Sequence, residues 1–393
     1  MSRKAESDPS HHSFVPRAHA RRIGMLGTYP PRLCGLATFG AALAREFTSA
    51  GAEVELVVAE DGNAPAPGAP MPRHALRPGD AMSRRRAAAT LSSCDVAVVQ
   101  HEFGIYGGLD GDELLDVLDA VEAPIVVVLH TVPAQPTDHQ RTVLDAVCAA
   151  SDEVVVMSTT AAERLTRHDV DMRKVRVIPH GAWSLGRGSP VLRGPTRLLT
   201  WGLLGPGKGV EHMIDALALL GDDGADVTYT VAGVTHPNVR ARHGDAYRNS
   251  LIRRADDHGI ASKVHFDDSY RDLRALAALV TSASVVVLPY DSTDQVTSGV
   301  LADAIAAGVP VIATAFPHAV ELLSDGAGIV VPHRDPQALA AAVRSVVLDR
   351  AALQRMTNRA RDLAPSLAWS TVAGQYLDLI DALRPADAVA ASR

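Results

Sequence analysis

Short Val-rich apolar runs alternate with helix-length amphipathic segments along almost the whole chain, and the alternation occurs in two series. The first series has runs at 23–26, 54–59, 96–100, 125–129, 154–157 and 175–178, with helical periodicity at 37–50, 111–121, 138–150 and 160–167. The second has runs at 197–201, 227–232, 264–266, 284–288, 309–313 and 328–331, with helices at 209–220, 245–258 and 337–347. A run that is apolar on both faces must be covered on both. Strand–helix alternation does this as a parallel, doubly wound sheet. A Gly/Pro/Ser-rich stretch at 181–195 interrupts the pattern, and 393 residues are too many for one core. The pattern predicts an α/β protein of two Rossmann-like domains, at 21–185 and 196–367, joined by a linker at 186–195. Residues 1–20 are expected to be a disordered tail, and 368–385 a final helix with Val372, Tyr376, Leu379 and Ile380 on one face.

Composition removes several function classes. The net charge of −7 gives no global electrostatic case for nucleic acid. Cys34, Cys94 and Cys148 are widely spaced and odd in number, which disfavours a disulfide framework or a zinc site and suits a reducing cytosol. The polar N-terminus lacks the apolar core of a secretory signal, and no run is long enough to span a bilayer. A basic cluster, Arg73, Arg77, Arg84, Arg85 and Arg86, reads mainly as a solvated face, with a weak membrane-surface contact as the alternative.

Four segments carry candidate chemistry. Residues 202–208 fit the start of a phosphate-binding P-loop, but Gly209 stands where that loop needs a Mg²⁺-binding hydroxyl, so a triphosphatase is disfavoured. Phosphate cradling by glycine amides and Lys208 survives that objection. At 289–321 a buried strand leads into a polar loop and a helix opening near Ser298, Gly299, Val300 and Leu301, a junction whose free N–H groups attract anions. Gln295 and Asp303 flank it, eight residues apart. In the first series, Tyr29 and Gly35 mark a Gly/Pro-rich loop before a helix, and His130 closes a buried strand at the rim where open sheets bind ligands. His101, Glu102, Phe103 and Tyr106 combine hydrogen-bonding groups with aromatic rings beside a glycine turn, which suits a sugar ring. No H-E-x-x-H is completed there, so a metalloprotease is not indicated.

Together these segments resemble the retaining, nucleotide-sugar-dependent glycosyltransferases of family 4, over about residues 22–383. Gln295 and Asp303 occupy the two Glu positions of the E-x7-E signature. Gly202, Leu204, Lys208 and Gly209 match G-R-L-x-x-x-K-G, with Leu203 at its arginine. The resemblance implies the glycosyltransferase-B fold: an N-terminal acceptor domain, a C-terminal nucleotide-sugar domain and a last helix crossing back to the first. It implies that Lys208, Gly209, Gly35, Ser298, Gly299, Val300 and Leu301 hold the donor, that Asp303 contacts the ribose, and that His130 and Gln295 face the donor sugar. It places the acceptor near Tyr29, His101, Glu102, Phe103 and Tyr106. A metal-independent, cytosolic hexosyltransferase with no cofactor beyond its nucleotide-sugar substrate and a hydroxyl acceptor is expected. The alternatives are an epimerase or hydrolase on the same fold, or a non-catalytic nucleotide-sugar or glycan-binding protein. A Rossmann dehydrogenase ranks low because no G-x-G-x-x-G follows the first strand.

Overall fold

The computed structural model of the chain describes residues 21–32, 34–60, 74–183, 194–221, 226–269 and 271–384. The expected tail, most of the expected linker, and Arg73 lie outside the described residues. The first sheet is built from β1 (Arg22–Gly27), β2 (Glu53–Ala59), β3 (His74–Leu76), β4 (Val96–His101), β5 (Ile125–Leu129), β6 (Glu153–Val156) and β7 (Val175–Val177). Its order is β3-β2-β1-β4-β5-β6-β7, and every pairing is parallel. The chain reverses direction across the sheet between β1 and β4, so the loops after these two strands flank a crevice at the carboxyl ends. The connecting helices are α1 (Gly35–Ser49), α2 (Ala81–Ser92), α3 (Glu113–Leu118), α4 (Asp138–Ala149) and α5 (Thr159–Leu165).

The second sheet contains β8 (Thr196–Trp201), β9 (Val227–Ala232), β10 (Val264–Asp267), β11 (Val285–Leu288), β12 (Val311–Thr314) and β13 (Gly328–Val331). It is parallel in the order β10-β9-β8-β11-β12-β13, which puts a second crevice between the loops after β8 and β11. Its helices are α6 (Val210–Leu219), α7 (Pro237–His243), α8 (Ala246–Asp257), α9 (Leu273–Ser282), α10 (Gly299–Ala306), α11 (Pro317–Leu323), α12 (Pro336–Leu348) and α13 (Arg350–Leu367). The central strands are buried on both faces: every residue of β4, β5, β11 and β12 is buried.

The last helix, α14 (Trp369–Leu383), returns to the first domain. Its apolar stripe of Trp369, Val372, Tyr376 and Ile380 packs into one core with Phe39, Leu43 and Phe47 of α1. Arg21 grips Asp381 with two hydrogen bonds, 2.6 and 2.5 Å, which pins the return. The two chain crossings are laced together where Ala182 N–H donates to Leu367 O (2.7 Å) and Trp369 N–H donates to Ala182 O (3.2 Å).

Candidate active site in the inter-domain cleft

In the second domain, Ser298 is the N-cap of α10, and its hydroxyl accepts the Leu301 N–H at 3.3 Å. The Ser298 N–H itself donates to His318 Nδ1 of α11 at 2.9 Å. Of the amides the sequence offers for an anion, Ser298 and Leu301 are therefore spent on the protein. Gly299 and Val300 keep theirs at the positive end of the helix. Gln295 turns its side-chain Nε2–H onto Thr297 O at 3.1 Å, and its backbone carbonyl accepts the His318 N–H at 3.3 Å.

The loop between β8 and α6 runs beside this helix start. Gly209 caps α6 in the left-handed region at φ 65°. A Cβ there would lie 1.7 Å from Pro289 O, so only glycine lets the turn approach the end of β11. The turn is held from the other side by Asp291 N–H donating to Gly207 O at 2.9 Å. Lys208 is partly exposed, its ammonium 4.4 Å above the Tyr290 ring, which is itself stacked on Phe316. An ammonium on an aromatic face retains its donors for an oxyanion. Nearby, Glu211, His212 and Asp291 bring ligand atoms within 4.8 Å of one another. That group is internally balanced. Tyr247 donates to Glu211 at 2.6 Å, while His212 and Arg334 reach the same Asp291 oxygen at 3.2 and 3.4 Å.

The first domain faces α10 with histidines. His130 follows β5, and its Nε2–H donates to Gln100 Oε1 at 2.6 Å, which leaves Nδ1 as the acceptor nitrogen. Phe39 of α1 lies edge-on to His130 at 4.9 Å and to His180 at 5.1 Å. His180 is anchored by Nδ1–H to Gly181 O at 2.6 Å. Its ring reaches across to α10: a Cβ on Gly299 would stand 2.9 Å from His180 Cε1. His180 lies in none of the segments singled out in the sequence, and His318 lies within 289–321 with no role assigned to it there. Both belong to the cleft.

The expected acceptor wall is partly displaced. His101 is buried with neither ring nitrogen partnered, and Tyr106 lies in the core with its hydroxyl donating to Gln100 O at 2.6 Å. These two stand behind the rim because the tight glycine turn folds the segment inward. Glu102 stays at the rim, accepting from the Thr131 hydroxyl and the Phe103 N–H; Phe103 is edge-on to His101. Tyr29 is partly exposed, and Gly35 is exposed at the start of α1, where Cys34 Sγ caps the Ala37 N–H. Asp303 accepts the Trp183 N–H at 3.1 Å, so the expected ribose contact is engaged by the segment after β7. Of the basic cluster, Arg84 is taken up by Glu113 and Asp116, and Arg77 by Glu60; Arg85 and Arg86 are exposed. Among the described residues, no helix is long and apolar enough to cross a membrane.

Burial keeps the cleft histidines neutral. It lowers His130 to about 3, with His180 and His101 adding repulsion, and lowers His101, His180 and His318 to about 4. Burial pushes Asp303 up to about 7, against the pull of the Trp183 N–H. The signs oppose. Neutral native imidazoles stabilise the fold above the unfolded value of 6.5, and this is lost as pH falls towards 4. The Asp303 contribution is present below 3.8 and lost as pH rises through 7. With the histidines in the majority, the melting temperature is expected to fall from pH 6.5 to pH 4. His101→Gln should shallow that fall and Asp303→Asn should steepen it; melts across pH 4–8 check both.

Two parallel-sheet domains facing across a cleft, with a last helix returning to the first, define the glycosyltransferase-B fold. The chain belongs to the group 1 and family 4 glycosyltransferases: residues 34–182 match the Glycosyltransferase Family 4 model and residues 189–363 the model for Glycosyl transferases group 1. It is 31% identical over 230 residues to a glycogen synthase of Mycobacterium tuberculosis, a match covering 57% of this chain and 52% of that protein. It thus spans about half the length of that relative. It is 25% identical over 290 residues to a D-inositol 3-phosphate glycosyltransferase of Corynebacterium glutamicum, covering 66% of this chain and 67% of that one. Among solved structures, Anabaena HepE in complex with UDP and glucose superposes with a TM-score of 0.72 at 17% identity, covering 92% of this chain and 100% of that one.

Proposed function

We propose that this chain is a retaining hexosyltransferase that moves a sugar from a nucleotide-diphosphate donor to a hydroxyl acceptor without a metal ion. One observation carries the reading: the start of α10, where Gly299 and Val300 keep their amides, meets His180 of the other domain at Gly299. His130 lies beside the same Phe39 ring as His180, and the 202–209 turn that carries Lys208 approaches Val300. Diphosphate is the leaving group that such a site suits. The anomeric C–O bond breaks as negative charge grows on phosphate, where Lys208 and the two amides lie preorganised to meet it. The acceptor oxygen then bonds the anomeric carbon on the face just vacated, and its proton passes to the departing phosphate oxygen. His130, neutral and with Nδ1 free, accepts a hydrogen bond from a donor-sugar hydroxyl. The UDP and glucose bound by HepE, and the GDP-mannose dependence in the name of a Mycobacterium tuberculosis phosphatidylinositol dimannoside mannosyltransferase that this chain matches at 29% identity, support UDP- and GDP-hexoses as the first donors to test.

The test is product formation from a panel of UDP- and GDP-hexoses with glycoside, inositol-phosphate and oligosaccharide acceptors, in excess EDTA. Anomeric configuration is read by NMR. An α-linked product from an α-donor supports the reading. Inversion, or activity that returns only with Mg²⁺ or Mn²⁺, overturns it and turns attention to Glu211, His212 and Asp291. Lys208→Ala is expected to weaken nucleoside-diphosphate binding by about 2–3 kcal/mol, the scale of a charge-assisted hydrogen bond. Calorimetry checks it.

A further inference from the structure

Arg164 stands in none of the sequence motifs, yet it is a buried cation at the seam of the two domains. Its Nη1 donates to Val132 O at 2.7 Å, to Asp294 O at 3.2 Å and to Asp294 Oδ1 at 2.5 Å. Val132 lies two residues beyond His130, and Asp294 immediately precedes Gln295. The same Asp294 oxygen accepts the Ala134 N–H at 3.0 Å. One guanidinium thus fastens the His130 loop of the first domain to the Gln295 loop of the second. At the other end of α5, the Glu321 carboxylate accepts the N–H groups of Thr159 and Thr160 at 2.7 and 3.2 Å. Glu321 lies on α11 one turn after His318, the residue that holds the Ser298 N–H.

We propose that Arg164 is a positioning residue, which sets the His130 loop and the Gln295 loop in register when the domains close. The proposal rests on the transferase reading above. A cation shared by oxygens of two loops resists displacement of either, because any shift strands a buried charge. The partners differ in exposure: the Arg164 side chain is 10% exposed and that of Asp294 46%. Domain opening therefore has only to release Asp294, while Arg164 stays with Val132 in the first domain. The contact makes alignment of the two loops conditional on closure.

The accessible partner gives the cleaner variant. Asp294→Ala is expected to lower kcat about 10–100-fold, the scale of a small misplacement of reacting groups, with nucleoside-diphosphate affinity within about twofold. The melting temperature should also fall, because Arg164 is left with carbonyl partners alone. Asp294→Asn, which keeps an acceptor oxygen, should recover part of both losses. Arg164→Ala should do the same, and the double variant should be no worse than Arg164→Ala alone, since both remove one contact. Hydrogen exchange on the full chain gives a readout that needs no turnover: the Ala134 and His318 amides should lose protection together in Arg164→Ala. If the wild type transfers no sugar but this joint loss occurs, the transferase reading fails and the coupling stands. Additive losses in the double variant, or unchanged exchange at both amides, would overturn the coupling.

Discussion

His130→Ala is expected to reduce turnover about 100–1,000-fold while leaving nucleoside-diphosphate affinity within about twofold of wild type. The asymmetry follows from where His130 sits. It shares the Phe39 ring with His180, which is the histidine that meets Gly299 of α10, so under the proposed reading a ligand that ends at its phosphates does not reach it. A donor that carries the sugar does. Neutrality matters as much as position: burial holds the imidazole at about 3, and the bond to Gln100 Oε1 orients Nδ1 as an acceptor at every working pH. The kcat profile between pH 5 and 9 should therefore show no inflection owed to His130. His130→Gln retains an acceptor and should recover part of the loss. Steady-state kinetics and calorimetry on both variants, with melting temperatures as control, decide the matter. Equal loss of turnover and of nucleotide binding would remove His130 from the sugar site.

The architecture was legible because it is written in local pattern. Runs such as 125–129 and 285–288 are apolar at every position, and the face of α14 repeats at helical spacing, so sheet, layer and final helix follow from periodicity. The β3 and α13 elements carry no resolvable pattern in the sequence, and α2 shows there only as an Ala-rich helix after Arg86. Three residues of β3 carry too little pattern, and the arginines of α2 read as a surface cluster although one of them is enclosed by Glu113 and Asp116. The site divides the same way. Lys208 and the start of α10 announce themselves because glycine amides beside a lysine make a motif within one segment. His180, His318 and Arg164 acquire their roles from partners far away in sequence: Gly299, the Ser298 amide and Asp294. Nothing beside them in the chain marks that. Tyr106 and Asp303 show the converse, since each sits in a suggestive segment, and the Tyr106 hydroxyl and one Asp303 oxygen are then engaged by backbone at Gln100 and Trp183.

Gly209→Ala is expected to weaken nucleoside-diphosphate binding at least about 100-fold and to destabilise the second domain by about 3 kcal/mol. Two penalties coincide at this position. Its φ of 65° lies where an alanine is strained, and the added methyl would stand 1.7 Å from the backbone oxygen of Pro289, which cannot turn aside as a side chain could. Relief requires the 202–209 turn to lift off the end of β11. Lys208 then leaves the Tyr290 ring, and the Asp291 N–H loses Gly207 O. The variant thus removes the proposed phosphate cradle by geometry alone, with every charged side chain retained. Gly207→Ala supplies the contrast. Its φ of 86° is equally unfavourable to alanine, but nothing lies within 4 Å of the added carbon. It should therefore lose only about 1 kcal/mol of stability and much less nucleotide affinity. Calorimetric titration with UDP and GDP, alongside denaturant melts of the two variants, separates backbone strain from the clash. Matching losses in both would show that strain, and not the approach to Pro289, sets the requirement for glycine.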